Sequence, residues 1–166
     1  MSRRAAIKAE PHLQEELLSV GNLLGRARTS LITQLDAELA PLGLSAMQFA
    51  VLKHLTHGAA RTAADLCRLL SYDTGAMTRI LDRLEHTGLL RRERCREDRR
   101  VVFLHVSGAG RVLLPQLMAV GERVLAAHLA DFTHTEIGEL KAYLGRMIDN
   151  GQARPDIQPP PSGRNP

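Results

Sequence analysis

The chain of 166 residues has few aromatics: three Phe, two Tyr and no Trp. An interior without large rings must be filled mainly by Leu and Ala. Both are strong helix formers, so the shortage leans the fold toward α. Cysteine is nearly absent as well. Cys67 and Cys95 alone cannot build a disulfide framework, and nothing in their number asks for an oxidising compartment. No apolar run approaches the roughly 20 residues that span a bilayer. The start, Met1-Ser2-Arg3-Arg4-Ala5, lacks the apolar core of a signal peptide. A cytoplasmic protein with no membrane association is therefore expected. The seven His are scattered without paired zinc spacing. No phosphate loop, nucleophile motif or catalytic cluster occurs. Neither an enzyme nor a bound metal or other cofactor is expected.

What the chain does have is localised positive charge. The formal net charge is +4, and residues 61–105 hold ten Arg against seven Asp or Glu, so most of the excess lies there. It is densest in Arg91-Arg92-Glu93-Arg94-Cys95-Arg96-Glu97-Asp98-Arg99-Arg100. Val101-Val102-Phe103-Leu104 follows at once, and a patterned helical segment, Asp73 to Leu90, precedes it. A helix, a basic hairpin tip and a β-branched, aromatic strand in that order suggest a winged helix-turn-helix that touches an anionic partner.

Helical periodicity organises most of the rest. A long first helix is predicted from Leu13 to Leu39, with Leu13, Leu17, Val20, Leu24, Leu31 and Leu35 in one stripe. So broad an apolar face must bury against something large, and a second subunit is one candidate. Pro41-Leu42-Gly43 breaks this helix. Ser45 and Gln48 form a capping box for a second helix ending near Gly58. Thr62 to Asp65 caps a short third helix through Leu70. After the turn Ser71-Tyr72-Asp73, Asp73 caps a fourth helix that carries Met77, Ile80, Leu81 and Leu84 inward and ends at Gly88. Two strand candidates, 89–92 and 100–106, flank the charged tip. Ser107 caps a fifth helix to about Leu129. Thr133 and Glu136 box a sixth, stapled by Phe132 and Ile137, that runs to about Ile148. The expected organisation is a flexible start (1–11), a winged helix-turn-helix lobe (45–106), flanking helices (12–44 and 107–150) and a disordered proline-rich tail (151–166). The fold class is mainly α with a small β-wing.

Two short helices across a three-residue turn place the second against base edges in a major groove. Its outward face offers Thr74, Gly75, Thr78, Arg79, Asp82 and Arg83. Thr74 and Thr78 suit bases or a thymine methyl, Arg79 suits guanine or phosphate, and Gly75 lets the backbone approach. On the wing, Arg92, Arg94 and Arg96 are expected to contact phosphate, beside Arg99. Arg100 is the candidate for a narrow minor groove. Asp98, two residues earlier and on the same side of an extended strand, is expected to hold its guanidinium. The expected partner is double-stranded DNA. A protein-binding winged helix without DNA readout is the alternative, and a basic tip disfavours it.

These segments resemble the MarR family of bacterial transcription regulators. The resemblance is carried by Leu81-Asp82-Arg83-Leu84-Glu85-His86-Thr87-Gly88-Leu89-Leu90-Arg91-Arg92 and by Glu97-Asp98-Arg99-Arg100-Val101-Val102-Phe103-Leu104, within a layout covering about residues 12–150. It implies a homodimer built by the first and last two helices, and a repressor released from a pseudo-palindromic operator by a small aromatic acid or phenolic compound. It also implies Asp98 and Arg100 as the wing pair. Arg28 and His54 are the candidate effector-pocket residues, one bordering the apolar stripe of the first helix and one on the second. The chain departs from the family at Cys95, where an Asp is frequent. Arginine neighbours favour thiolates in general, which leaves an oxidant-sensing switch through Cys95 as an alternative. Peroxide-sensing members carry their Cys near the start of the first helix, and no Cys precedes Cys67 here.

Overall fold

A computed structural model describes residues 11–98 and 100–153. The expected flexible start, most of the proline-rich tail and Arg99 lie outside the described residues. The order is α1 (Pro11–Leu39), a short 3-10 turn (Ala40–Leu42), α2 (Ala46–Thr56), α3 (Ala63–Leu70), α4 (Thr74–His86), β1 (Leu90–Arg94), β2 (Val102–Val106), α5 (Gly108–His128) and α6 (His134–Gln152). The chain forms two compact units, divided between Leu125 and Ala126 within α5. It is mainly helical with one small antiparallel sheet. No single helix among the described residues is long and apolar enough to cross a membrane.

The caps explain where the helices start. Ser45–Gln48, Thr62–Asp65 and Thr133–Glu136 each close a reciprocal box, and Asp73 accepts from the Ala76 N–H. Each satisfies N–H groups that the first helical turn leaves unpaired. Gly58 and Gly88 sit past the ends of α2 and α4 at φ near +71° and +73°, a left-handed conformation that glycine adopts without strain. At Gly88, the Leu89 N–H reaches back to Leu84 and the Gly88 N–H to Glu85, the paired bonds of a Schellman stop. Sequence placed the end of α6 near Ile148; it continues to Gln152. Gly151 does not stop it, because one glycine costs only about 1 kcal/mol in a helix.

In the first unit the core is aliphatic. Leu39, Val51, Leu52, Leu66, Met77, Leu81, Leu84 and Leu117 are essentially inaccessible, and Leu90, Leu104 and Val106 close it from the hairpin side. The stripe of α1 divides along its length. Leu31 and Leu35 pack on this core and Leu39 lies within it, whereas Leu13, Leu17, Leu18, Val20 and Leu23 are exposed. Val112 of α5 is 83% exposed. Asp36 of α1 accepts from the Ala46 N–H at 2.6 Å, tying the start of α2 to α1. In the second unit α6 carries Ile137, Tyr143, Leu144, Met147 and Ile148 exposed. Phe132 and Ile137, the expected staple, are both exposed.

Candidate nucleic-acid interface

Helix α4 buries Met77, Leu81 and Leu84 and exposes Thr74, Gly75, Thr78, Arg79, Asp82 and Arg83. The 3.6-residue period separates these two sets without exception. Thr78 donates its hydroxyl to the Thr74 carbonyl at 2.8 Å, so it offers outward a methyl group and acceptor lone pairs. Gly75 lies open. A Cβ there would meet nothing nearer than Asp73 Oδ1 at 3.4 Å, so glycine is not needed by the fold. One flank of α4 faces α2, where Arg79 and Arg83 line a shallow concavity with Ser45, Gln48 and Tyr72. The other flank carries Asp82 and Glu85 toward the hairpin.

The hairpin pairs Leu90 with Val106, Arg92 with Leu104 and Arg94 with Val102. The strands start and stop somewhat differently from the predicted 89–92 and 100–106: β1 extends to Arg94 and β2 begins only at Val102. The residues between them turn, with Cys95 N–H bonded to the Val101 carbonyl. The base is firmly seated. The Leu104 N–H donates to the Arg61 carbonyl, and the Ser107 N–H to that of Leu89. Ser107 Oγ donates to Gly88 O at 2.6 Å and accepts from the Gly110 N–H, as its expected cap role requires. Gly110 is required sterically. A Cβ there would lie 2.5 Å from Leu89 O and 2.7 Å from Val106 Cγ1.

Two wing expectations are corrected by this geometry. Arg92 is not a free cation. Alternation in β1 puts it on the same face as buried Leu90, and its Nη1 donates to Asp82 Oδ1 at 2.7 Å and Glu85 Oε2 at 2.8 Å. Asp98 does not hold the Arg100 guanidinium. Its Oδ1 accepts the Arg100 backbone N–H at 2.9 Å while its carbonyl accepts from Val101. The tip is a turn, so the two side chains do not share one side of an extended strand; Asp98 shapes the backbone that presents Arg100. Arg94, Arg96 and Arg100 are exposed and pair with no carboxylate among the described residues. The same holds for Arg79 and Arg83.

Known proteins share this arrangement. The MarR family model matches residues 42–101. The multiple antibiotic resistance protein MarR of Escherichia coli is 29% identical over 143 residues, covering 86% of this chain and 99% of that one. Over residues 42–101 the chain matches the MarR family of winged helix-turn-helix transcription regulators. The regulator MgrA of Staphylococcus aureus is 33% identical over 79 residues, 48% of this chain and 52% of the relative. Among solved structures, a mutant of E. coli MarR complexed with operator DNA has a TM-score of 0.71 at 29% identity, covering 80% of this chain and 95% of that chain. The regulator BldR of Sulfolobus solfataricus reaches 0.75 at 26% identity, covering 82% and 96%.

The MarR-type lobe also holds a cleft of about 300 Å³ between α1, α2 and α5. Its lining includes Leu31, Leu35, Phe49 and Met118, with Lys53 and Glu122 at its polar edge. Neither Arg28 nor His54, the residues expected there, is part of it. Arg28 is exposed on α1. His54 is half-buried on α2, where desolvation, then the charges of Lys53 and His57, lower its pKa. Lys53, one residue before His54, is the cation that the helical turn delivers to the cleft. Gly121 makes room beneath Phe49, since a Cβ there would sit 3.1 Å from the ring. Cys67 packs half-buried against the core, as a small apolar residue would. Cys95 Sγ–H donates to Glu97 Oε2 at 2.9 Å, and that bond holds the Glu97 carboxyl below the usual range. The thiol's immediate partner is thus a carboxylate and not an arginine.

Proposed function

We propose that the protein is a cytoplasmic homodimeric repressor that reads a pseudo-palindromic duplex and is released from it by a small aromatic acid or phenol. The observation that carries the DNA reading is the division of the arginines. Arg79 and Arg83 on α4 and Arg94, Arg96 and Arg100 at the wing tip have no carboxylate partner among the described residues, beside an exposed face of Thr74, Gly75 and Thr78. Free guanidinia on a groove-sized helix and an adjoining hairpin suit base edges and phosphates. Arg100, presented by the Asp98 turn, suits a narrow minor groove.

Dimerisation accounts for the exposed apolar side chains of α1 and α6, which water would otherwise cover. A two-fold dimer places its reading helices about one helical turn apart, roughly 10 base pairs. The effector seat is the cleft, whose apolar walls suit a ring and whose Lys53 suits a carboxylate. Release requires that the effector bind one subunit arrangement more tightly than the other.

In vitro selection of duplexes followed by footprinting tests the reading. Two inverted half-sites about one turn apart are expected; a single unpaired half-site overturns the dimeric reading. Substituted benzoates and phenols should both release wild-type protein from the selected duplex. Lys53→Met should lose the response to benzoates while keeping that to phenols, and an unchanged benzoate response removes Lys53 from the effector site.

A further inference from the structure

The Arg92 cluster has no place in the DNA-reading surface just proposed. Three side chains from two elements meet there. Glu85 of α4 uses both carboxylate oxygens on one residue of β1: Oε1 accepts the Arg92 backbone N–H at 3.2 Å and Oε2 its Nη1 at 2.8 Å. Asp82, one turn earlier, accepts a second hydrogen bond from the same nitrogen at 2.7 Å. The carboxylates therefore grip the backbone and the guanidinium together. We propose that Arg92 is a positioning residue: clasped by Asp82 and Glu85, it sets the angle of the wing on the recognition helix and so decides whether α4 and the tip can engage DNA at the same time. The proposal rests on the DNA-reading function above and assigns Arg92 no phosphate.

The mechanical need is plain. A two-stranded hairpin is marginal alone and takes its orientation from what it packs on. The base of this one is fixed by Leu90, Leu104 and Val106 in the core and by Gly110 beneath. On β1 only Leu90 is buried, and the clasp is that strand's next point of attachment toward the tip; on β2, Leu104 and the contact of Phe103 with Arg61 hold the other strand. The charges alone argue against placing carboxylates here. Asp82 lies on the exposed face of α4, and a carboxylate facing DNA repels phosphate. Its presence makes sense if it holds Arg92.

Electrostatics and positioning predict opposite signs for one variant. Asp82→Asn/Glu85→Gln removes two negative charges beside the DNA, so charge alone would raise affinity. As a positioning device, its loss lowers affinity for the selected duplex about tenfold, a magnitude set by several weak exposed pairs in each of two subunits. Minor-groove protection at the flanks of the footprint thins while central major-groove protection persists. In the full-length free protein, amide exchange across residues 90–106 rises and exchange in α4 does not. Arg92→Gln gives the same pattern, and adding it to the double variant produces little further loss, because the groups act as one unit. A rise in affinity, or unchanged exchange in the hairpin, overturns the proposal. Wild-type protein that selects no duplex overturns the DNA reading instead, and the exchange measurement, made without DNA, still decides whether the clasp holds the wing.

Discussion

The base and the tip of the wing are built from the same residue type to different ends. At the base, Arg92 is 29% exposed and bound by two carboxylates of α4. At the tip, Arg94, Arg96 and Arg100 are exposed without a carboxylate partner among the described residues, and the nearby acids are occupied otherwise: Glu97 by a thiol, Asp98 by a backbone N–H. Arginine count therefore does not measure DNA contact. The position of each guanidinium relative to the hydrophobic face of the hairpin separates internal ties from free cations.

The largest expected effect breaks the tip. Arg100→Ala should weaken operator binding about 100-fold in a dimer, each inserted arginine contributing on the order of 1–3 kcal/mol. Its thermal midpoint should stay at the wild-type value; unchanged affinity would show that the turn presents Arg100 to nothing. The next breaks the base. Gly110→Ala forces a Cβ against Leu89 O and Val106, and should cost about 2 kcal/mol in urea denaturation. Full stability in that variant means the hairpin can lift off α5 without penalty.

Smaller effects sharpen the contrast. Arg96→Ala should reduce the slope of log affinity against log salt by about 0.9 for each phosphate that is no longer neutralised, with sequence preference unaltered. A changed preference would promote Arg96 to base readout. Glu97→Gln should raise affinity by no more than about twofold, since it removes one exposed, solvent-screened negative charge from the tip. The sign is opposite to that expected for the acids at the base. Glu97 has its carboxyl pKa lowered by the Cys95 S–H, so it stays ionised between pH 8 and pH 6, and the gain should be constant over that range. A gain that fades by pH 6 would contradict the Cys95–Glu97 bond.

Much of the reader was legible in the sequence because its signals are local. The capping residues at 45, 62, 73 and 133 act within one turn, and the inward and outward faces of α4 follow from a period of 3.6. The Arg92 clasp had a partial signal. Leu90 and Arg92 share a face by the period of two, so an arginine adjoining the core was foreseeable. Its partners Glu85 and Asp82 lie seven and ten residues away on another element, and only the angle between helix and hairpin brings them together. The Asp98–Arg100 expectation failed because it assumed an extended strand where the tip turns.

Sequence alone determined the order of elements, the capped starts of α2, α3, α4 and α6, the stops at Gly58 and Gly88, the outward face of α4 and the location of the basic tip, because caps, glycines and periodicity act over a few residues. Tertiary structure decided which arginines are engaged and which are free. It also decided that Lys53 and Glu122, and not Arg28 or His54, border the cleft, and that the first half of α1 leaves its leucines uncovered. Those outcomes depend on how separate elements pack against one another, and a pattern repeating every two or four residues carries no record of the angle at which two elements meet.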